Sequence, residues 1–282
     1  MKSLLVATDL TALSDRAVDR AVRLAARFGA ELTVLHVVNN ALDEKMRRDQ
    51  HANATEVVRR QLAAAPSGQK VAAKVEISDG DDFAEIIRAA RSTDADAIVL
   101  GMHRKQGLKD LFVGTTMERV LRFADRPVLV VKDPAAQPYE QVLVPVDFSV
   151  PSRRALALAC RFVPAGDFRV VHAYHVPFAG FITDKAARRE AEAEHQRRLE
   201  AMVSDEMALL LGQVAGTPIK VTSTVHAGAI MQVIQDQVRS LEPDLLVMGT
   251  HGRTGLAQAM LGSVALEIMA DPPCDVLTIG AW

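Results

Sequence analysis

Apolar runs of strand length alternate along the chain with segments of helical period. LLVAT, LTVLHVV, AIVLG and PVLVV lack the polar alternation of a half-exposed strand, which predicts strands buried on both faces, as in a parallel sheet covered by helices. Strands are expected near 3–8, 31–38, 71–77, 97–101 and 127–132, and helices near 12–28, 41–65, 82–92 and 114–124. In the first helix Ala17, Val18, Ala21, Val22, Leu24, Ala25 and Phe28 recur at i, i+3, i+4 spacing. That helix begins after Thr11 or Ser14 and stops at Gly29.

The pattern then repeats. LLVATDLTALSDRAV returns as VLVPVDFSVPSRRAL, which sets Asp9 on Asp147 at an offset of 138. Gly80 on Gly228, Gly101 on Gly249, Gly114 on Gly262 and Val128 on Val276 share an offset of 148. The ten extra residues fall after the second strand of the second copy, where 183–211 form a longer and highly charged helical stretch, read as a solvated helix with i,i+4 pairs. KDPAAQPYEQ, with two prolines among polar residues, suits a short linker between the copies. Right-handed crossovers then predict an α/β fold of two tandem doubly wound domains, each a five-stranded parallel sheet flanked by helices, over 1–134 and 139–282.

Composition narrows the function more than the fold. The formal net charge of −2, divided as +2 and −4 between the halves, supplies no positive field for nucleic acid or an anionic membrane. Aromatic residues make up only 4%, too few for base-stacking platforms. The N-terminal apolar run is too short for a signal sequence, and no run approaches the roughly 18 apolar residues of a membrane span. Cys160 and Cys274 stand far apart in apolar company, which predicts buried free thiols and fits a reducing, cytoplasmic compartment.

In a doubly wound sheet, ligands bind beyond the carboxyl ends of the strands. Gly249 closes the strand LLVMG, so THGRTGLAQAML lies at that edge, and Gly262 and Ser263 open the last helix. Glycine admits close approach of backbone N–H groups, a helix N-terminus adds donors and partial positive charge, and Arg253 adds a cation, so an anion is the natural occupant. The same glycines also suit tight turns, and Ser263 also suits a helix cap. Asp147 and Asp9, at the ends of the first strands, suit acceptance of hydrogen bonds from a ribose or an adenine amino group, and equally an N-cap role. Neither GxxxxGK[ST] nor GxGxxG is present. His172 and His175 are three apart on an expected strand and point to opposite faces, so they share no metal ion. His103 and His251 read as supports for the loop backbone, and Met202, Met207, Met231, Met248, Met260 and Met269 as core filler. No residue is assigned a catalytic or metal-ligating role.

The half-sequence resembles the universal stress protein family, whose nucleotide-binding members carry G-x2-G-x9-G-[ST] after the fourth strand and an Asp after the first. The second half matches in full through Gly249, Gly252, Gly262 and Ser263, and the resemblance covers essentially the whole chain in two copies. It implies an adenine-nucleotide alpha hydrolase-like fold and a stress-response protein that binds ATP, ADP or AMP, with Mg2+ accompanying ATP. Asp147 and Ala173 would border the adenosine, while Gly249, Gly252, Gly262, Ser263 and Val264 would hold the phosphates. The first-half counterparts are Asp9, Val37, Gly101, Gly114, Thr115 and Thr116, but Arg104 stands where the second glycine belongs, which weakens or alters that copy. Members of the family pair through the last strand of the domain; here VLVVK and DVLTIG can satisfy that pairing within one chain, leaving a pseudo-symmetric unit able to dimerise again. The resemblance favours a regulatory binding module. The alternative is an enzyme that slowly hydrolyses ATP or transfers part of the nucleotide, for which Asp110 in the first-half loop is the available carboxylate.

Overall fold

The computed structural model describes residues 1–65, 68–102, 115–174, 185–212, 219–250 and 261–280. The first half runs β1 (Ser3–Ala7), α1 (Ala12–Phe28), β2 (Glu31–Val38), α2 (Glu44–Ala64), β3 (Ala73–Asp79), α3 (Asp82–Ser92), β4 (Ala97–Gly101), α4 (Thr116–Phe123) and β5 (Val128–Val131). The second runs β6 (Gln141–Pro145), α5 (Val150–Phe162), β7 (Asp167–Tyr174), α6 (Lys185–Gly212), β8 (Lys220–Ala227), α7 (Ile230–Leu241), β9 (Leu245–Gly249), α8 (Ser263–Ala270) and β10 (Asp275–Ile279).

Local chemistry sets the boundaries. α1 starts at Thr11, whose hydroxyl accepts from the Ser14 N–H while the Ser14 hydroxyl accepts from the Thr11 N–H, and it stops where Gly29 turns left-handed at φ 63°. α2 starts at Glu44, three residues later than its pattern suggests, because the Asp43 carboxylate caps it through the Met46 N–H. β3 is displaced two residues from expectation: Val71 belongs to the tight turn after 68–70, and pairing with β2 begins at Ala73 opposite Leu32.

The ten strands of the described residues form one sheet in the order β3-β2-β1-β4-β5-β10-β9-β6-β7-β8. Strands within each half are parallel, whereas β5 and β10 run antiparallel with Val130 opposite Val276. The carboxyl edges of the two halves therefore face opposite ends of the sheet. Inner strands carry the continuous apolar runs, with Leu4, Leu5, Val6, Ile98, Val99, Leu143 and Leu246 fully buried. One core packs α1, α2, α5 and α6 on one face, and a second packs α3, α4, α7 and α8 on the other. Both cores run through the seam, one including Leu129 and Leu277 and the other Val130 and Val276.

The linker is ordered around a buried carboxylate. Asp275, 1% exposed, accepts from the N–H groups of Lys132 (2.8 Å) and Asp133 (3.1 Å) and from the Tyr139 hydroxyl (2.5 Å), and pairs with Arg20 of α1 at 3.2 Å. Arg20 also donates to the Gln137 carbonyl at 2.8 Å and lies 4.3 Å from the centre of the Tyr139 ring. Sequence periodicity marked the surrounding α1 positions as core but gave no sign of a buried arginine among them.

The methionine expectation holds for Met207, Met248 and Met269, which are buried, and fails for Met202, which α6 turns to solvent at 66% exposure. Met260 lies outside the described residues. Both cysteines are buried free thiols. Burial pushes the Cys160 thiol up to about 11, and burial followed by the Asp275 charge pushes Cys274 higher still. Native protein at pH 8 is therefore expected to react with a thiol reagent only at the rate of unfolding, with both cysteines labelled at once in denaturant; fast labelling of either in native protein would contradict this burial.

Candidate functional site

The winding reverses between β1 and β4 in the first half and between β6 and β9 in the second, and each reversal carries a cavity at its carboxyl edge. The first, about 210 Å³, is lined by Asp9, Val37, Gly101, Thr115 and Thr116 among others, so every described site residue expected in that half meets there. The second, about 160 Å³, gathers Asp147, Gly249, Gly262, Ser263 and Val264. Ala173 sits on β7 opposite His226, outside that lining. Gly252, Arg253, Arg104, Gly114, Asp110, His103, His251 and His175 lie outside the described residues.

The turn after the first strand is built alike in both halves. Asp9 Oδ1 accepts from the Thr11 N–H at 3.0 Å and from its hydroxyl at 2.6 Å; Asp147 Oδ1 accepts from the Ser149 N–H at 3.0 Å. The aspartates are thus not the helix caps: Thr11 and Ser149 are, and each Asp braces the cap from two residues earlier. The residue between them holds a left-handed backbone in both copies, Leu10 at φ 61° and Phe148 at φ 62°. Such a conformation costs a non-glycine residue roughly 1–2 kcal/mol, and its recurrence pins the Asp in place.

Sequence reasoning missed a second duplicated support. His36 Nδ1 lies 2.8 Å from the Thr8 carbonyl and His172 Nδ1 2.7 Å from the Val146 carbonyl. A carbonyl only accepts, so Nδ1 carries the proton in both rings and, when the ring is neutral, Nε2 is an acceptor. The signal in the sequence is the offset of 136 between these histidines, the same that sets Val37 on Ala173. The two rings then differ: Phe148 covers His172 at a ring separation of 4.5 Å, whereas His36 lines the first cavity.

Gly101 and Gly249 serve close packing. A Cβ on Gly249 would stand 2.8 Å from Pro151 Cβ and 3.0 Å from its carbonyl carbon, and one on Gly101 2.9 Å from both the Leu13 oxygen and Ser14 Cα. These glycines seat the first turns of α5 and α1 over the ends of β9 and β4, which brings Asp147 and Asp9 to the cavity mouths.

The helix opening one wall of each cavity distinguishes the copies. α4 is capped by Thr115, whose hydroxyl accepts from the Glu118 N–H at 3.2 Å while Glu118 Oε2 accepts from the Thr115 N–H at 3.3 Å. α8 has Gly262 at its N-cap with no side-chain cap bond and no acidic residue in its first turn. Ser263, expected as a cap, is instead the first helical residue. Among the described residues α8 therefore has no capping side chain at its N-terminus, where in α4 Glu118 takes the Thr115 N–H and the Thr115 hydroxyl takes the Glu118 N–H. α3 and α7 repeat the contrast: Asp81 caps α3 and Asp82 lines the first cavity, while the counterparts beside the second are Ala229 and Ile230. Partial desolvation, then the charges of Asp81 and Asp9, push the Asp82 carboxyl up against an opposing pull from His36. Among the described residues no group of three or more His, Cys, Asp or Glu is placed to hold a metal ion, and no helix is long and apolar enough to cross a membrane.

Comparison with known proteins agrees with this architecture. The model of the universal stress protein family matches residues 1–132 and again 138–280. A universal stress protein of Methanocaldococcus jannaschii is 30% identical over 145 residues, 47% of this chain and 83% of the relative; one of Thermus aquaticus is 32% identical over 151 residues, 50% of this chain and 98% of the relative. The crystal structure of a universal stress protein from Archaeoglobus fulgidus superposes with a TM-score of 0.71 at 22% identity, covering 99% of this chain and 98% of that one, which shows the same fold over both halves. With two family matches that together span nearly its whole length, the chain belongs to the universal stress protein family.

Proposed function

We propose that the chain is an adenine-nucleotide-binding regulatory module of two units, 1–134 and 139–282, whose better phosphate site is in the second. The observation that carries this reading is the N-terminus of α8, opening without a side-chain cap on a cavity that Asp147 borders from the other side. ATP would set its adenosine against Asp147 and the end of β7 near Ala173, with its phosphates on the backbone N–H groups of Ser263 and Val264 beside Gly249 and Gly262. Ser263 adds a hydroxyl donor, and Gly252 and Arg253 complete the motif in sequence. Mg2+ would arrive with the nucleotide, held by its phosphates. Binding biases the conformation in which the two edges of the cavity are drawn together, and a partner reads that state. The reading includes the β5–β10 seam as the pairing surface of the two units and a homodimer of the resulting pseudo-symmetric chain.

Titration of stripped, folded protein with ATP tests it. The wild type is expected to bind one equivalent, and Ser263→Asp, which puts a carboxylate on the first turn of α8, to weaken binding by about tenfold or more. Equal affinity in the variant would remove the phosphate from α8. In the same samples ATP turnover is expected to stay at background, and steady release of phosphate would favour the enzymatic alternative.

A further inference from the structure

The first cavity is the larger of the two, so room does not separate it from its sister; charge and hydrogen-bonding sense do. Among the described residues, its lining carries two carboxylates beside the hydroxyls of Thr8, Thr11, Ser14, Thr115 and Thr116. Asp9 and Asp82 are carboxylates that only accept, and the Nδ1-protonated His36 presents an accepting Nε2 when neutral. Glu118, just outside the lining on the first turn of α4, takes the Thr115 N–H, one of the donors a phosphate would otherwise find there. Asp81 is offset by Arg119 at 3.1 Å and belongs to the rim rather than the lining. In the second cavity Asp147 is the sole ionisable residue of the described lining, with Ile230 in place of Asp82. Leu35, Ile86, Leu100 and Met117 give the first cavity apolar walls, so it is a pocket with an accepting mouth rather than a patch of surface charge.

A polyphosphate brings only acceptors and negative charge, and meets at this mouth more of the same. A ribose diol or an exocyclic amine brings donors without charge and satisfies the carboxylates it meets. We infer that the first-half pocket is a site for a phosphate-free ligand of nucleoside size, selected through Asp82 and Asp9 and closed to nucleotides by Glu118. The inference rests on the nucleotide reading of the second half and assigns the first a different chemical class: one copy takes the nucleotide, the other its dephosphorylated core.

Titration of the full chain with adenosine and, separately, with ATP tests this, each read as stoichiometry by calorimetry. Wild type is expected to bind two equivalents of adenosine and one of ATP. Asp82→Ile, which copies the second half, is expected to weaken one adenosine equivalent roughly tenfold and leave ATP binding in the second half unchanged. Asp82→Ile combined with Glu118→Gln, which keeps the capping box in neutral form, is expected to gain a second ATP equivalent. Thermal melts of each variant confirm the fold. ATP filling both halves of the wild type, adenosine stopping at one equivalent, or Asp82→Ile leaving both adenosine equivalents intact would each overturn the inference while the second-half reading stands. Absence of any adenine ligand from the wild type would instead remove that reading, and the inference with it.

Discussion

Asp275→Ala is expected to lower the free energy of unfolding by about 3–5 kcal/mol, the usual cost of removing one member of a buried ion pair. Three donors, the Tyr139 hydroxyl and the backbone N–H groups of Lys132 and Asp133, converge on this carboxylate beside the Arg20 guanidinium, and alanine would leave all of them inside the protein without it. The pair itself is not the source of the gain. Burial pushes the Asp275 carboxyl up despite the opposing pull of the Tyr139 hydroxyl and Arg20, so desolvation outweighs attraction. What is costly is the orphaned guanidinium, only 6% exposed and surrounded by α1 and the linker. Asp275→Asn keeps an acceptor for the linker N–H groups and is expected to lose less than the alanine variant, whereas Arg20→Met combined with Asp275→Leu, which removes both charges, should recover much of the loss. Urea unfolding of the four proteins decides the matter; a loss below about 1 kcal/mol for Asp275→Ala would mean that the linker is held by its other contacts.

Gly249→Ala should cost roughly 1–3 kcal/mol, the range for overpacking a well-filled site, although it adds a single methyl group. The atoms it would meet belong to Pro151 and Ser152, two of the three being backbone, so relief requires α5 to move off β9 rather than a side chain to rotate. That movement carries Ser149 and the braced Asp147 with it, so affinity for ATP should fall with stability. Gly29→Ala is the informative contrast. Nothing stands within 4 Å of its missing Cβ, and its cost comes from the left-handed φ of 63° alone, far from either cavity. Stability loss without change in nucleotide affinity is expected there. If Gly249→Ala behaves like Gly29→Ala, close packing of α5 does not set the position of Asp147.

Much of this was legible in the chain. Strands buried on both faces announce themselves as unbroken apolar runs, and the duplication set Asp9 on Asp147 and Gly101 on Gly249 before any coordinates. The sequence offers Gly101 and Gly249 for close approach to an anion or for tight turns, whereas the close neighbour of each is a helix turn, brought there by packing. The aspartates stand at the carboxyl edges, and of the two roles their sequence leaves open the N-cap belongs instead to Thr11 and Ser149, two residues on, because an Asx turn and an N-cap draw on the same residue types. Arg20 was invisible for a different reason. A lone arginine on an apolar helical face reads as a snorkelling surface residue until its partner, some 255 positions away, is known to be buried. The contrast between Asp81–Asp82 and Ala229–Ile230 was open to inspection once Gly80 was set on Gly228. It gains meaning only when α3 and α7 are seen to begin beside the cavities.

The antiparallel seam also orders events during synthesis. β10, the last of the described strands to leave the ribosome, inserts at the middle of the sheet between β5 and β9. Until it arrives, a folded first half presents the bare backbone of β5, and the second half lacks the strand that completes its own core. From the emergence of β5 until that of β10 the nascent chain therefore carries an open apolar edge of the kind that templates aggregation, and the stretch from Asp275 to Ile279 acts as its lock.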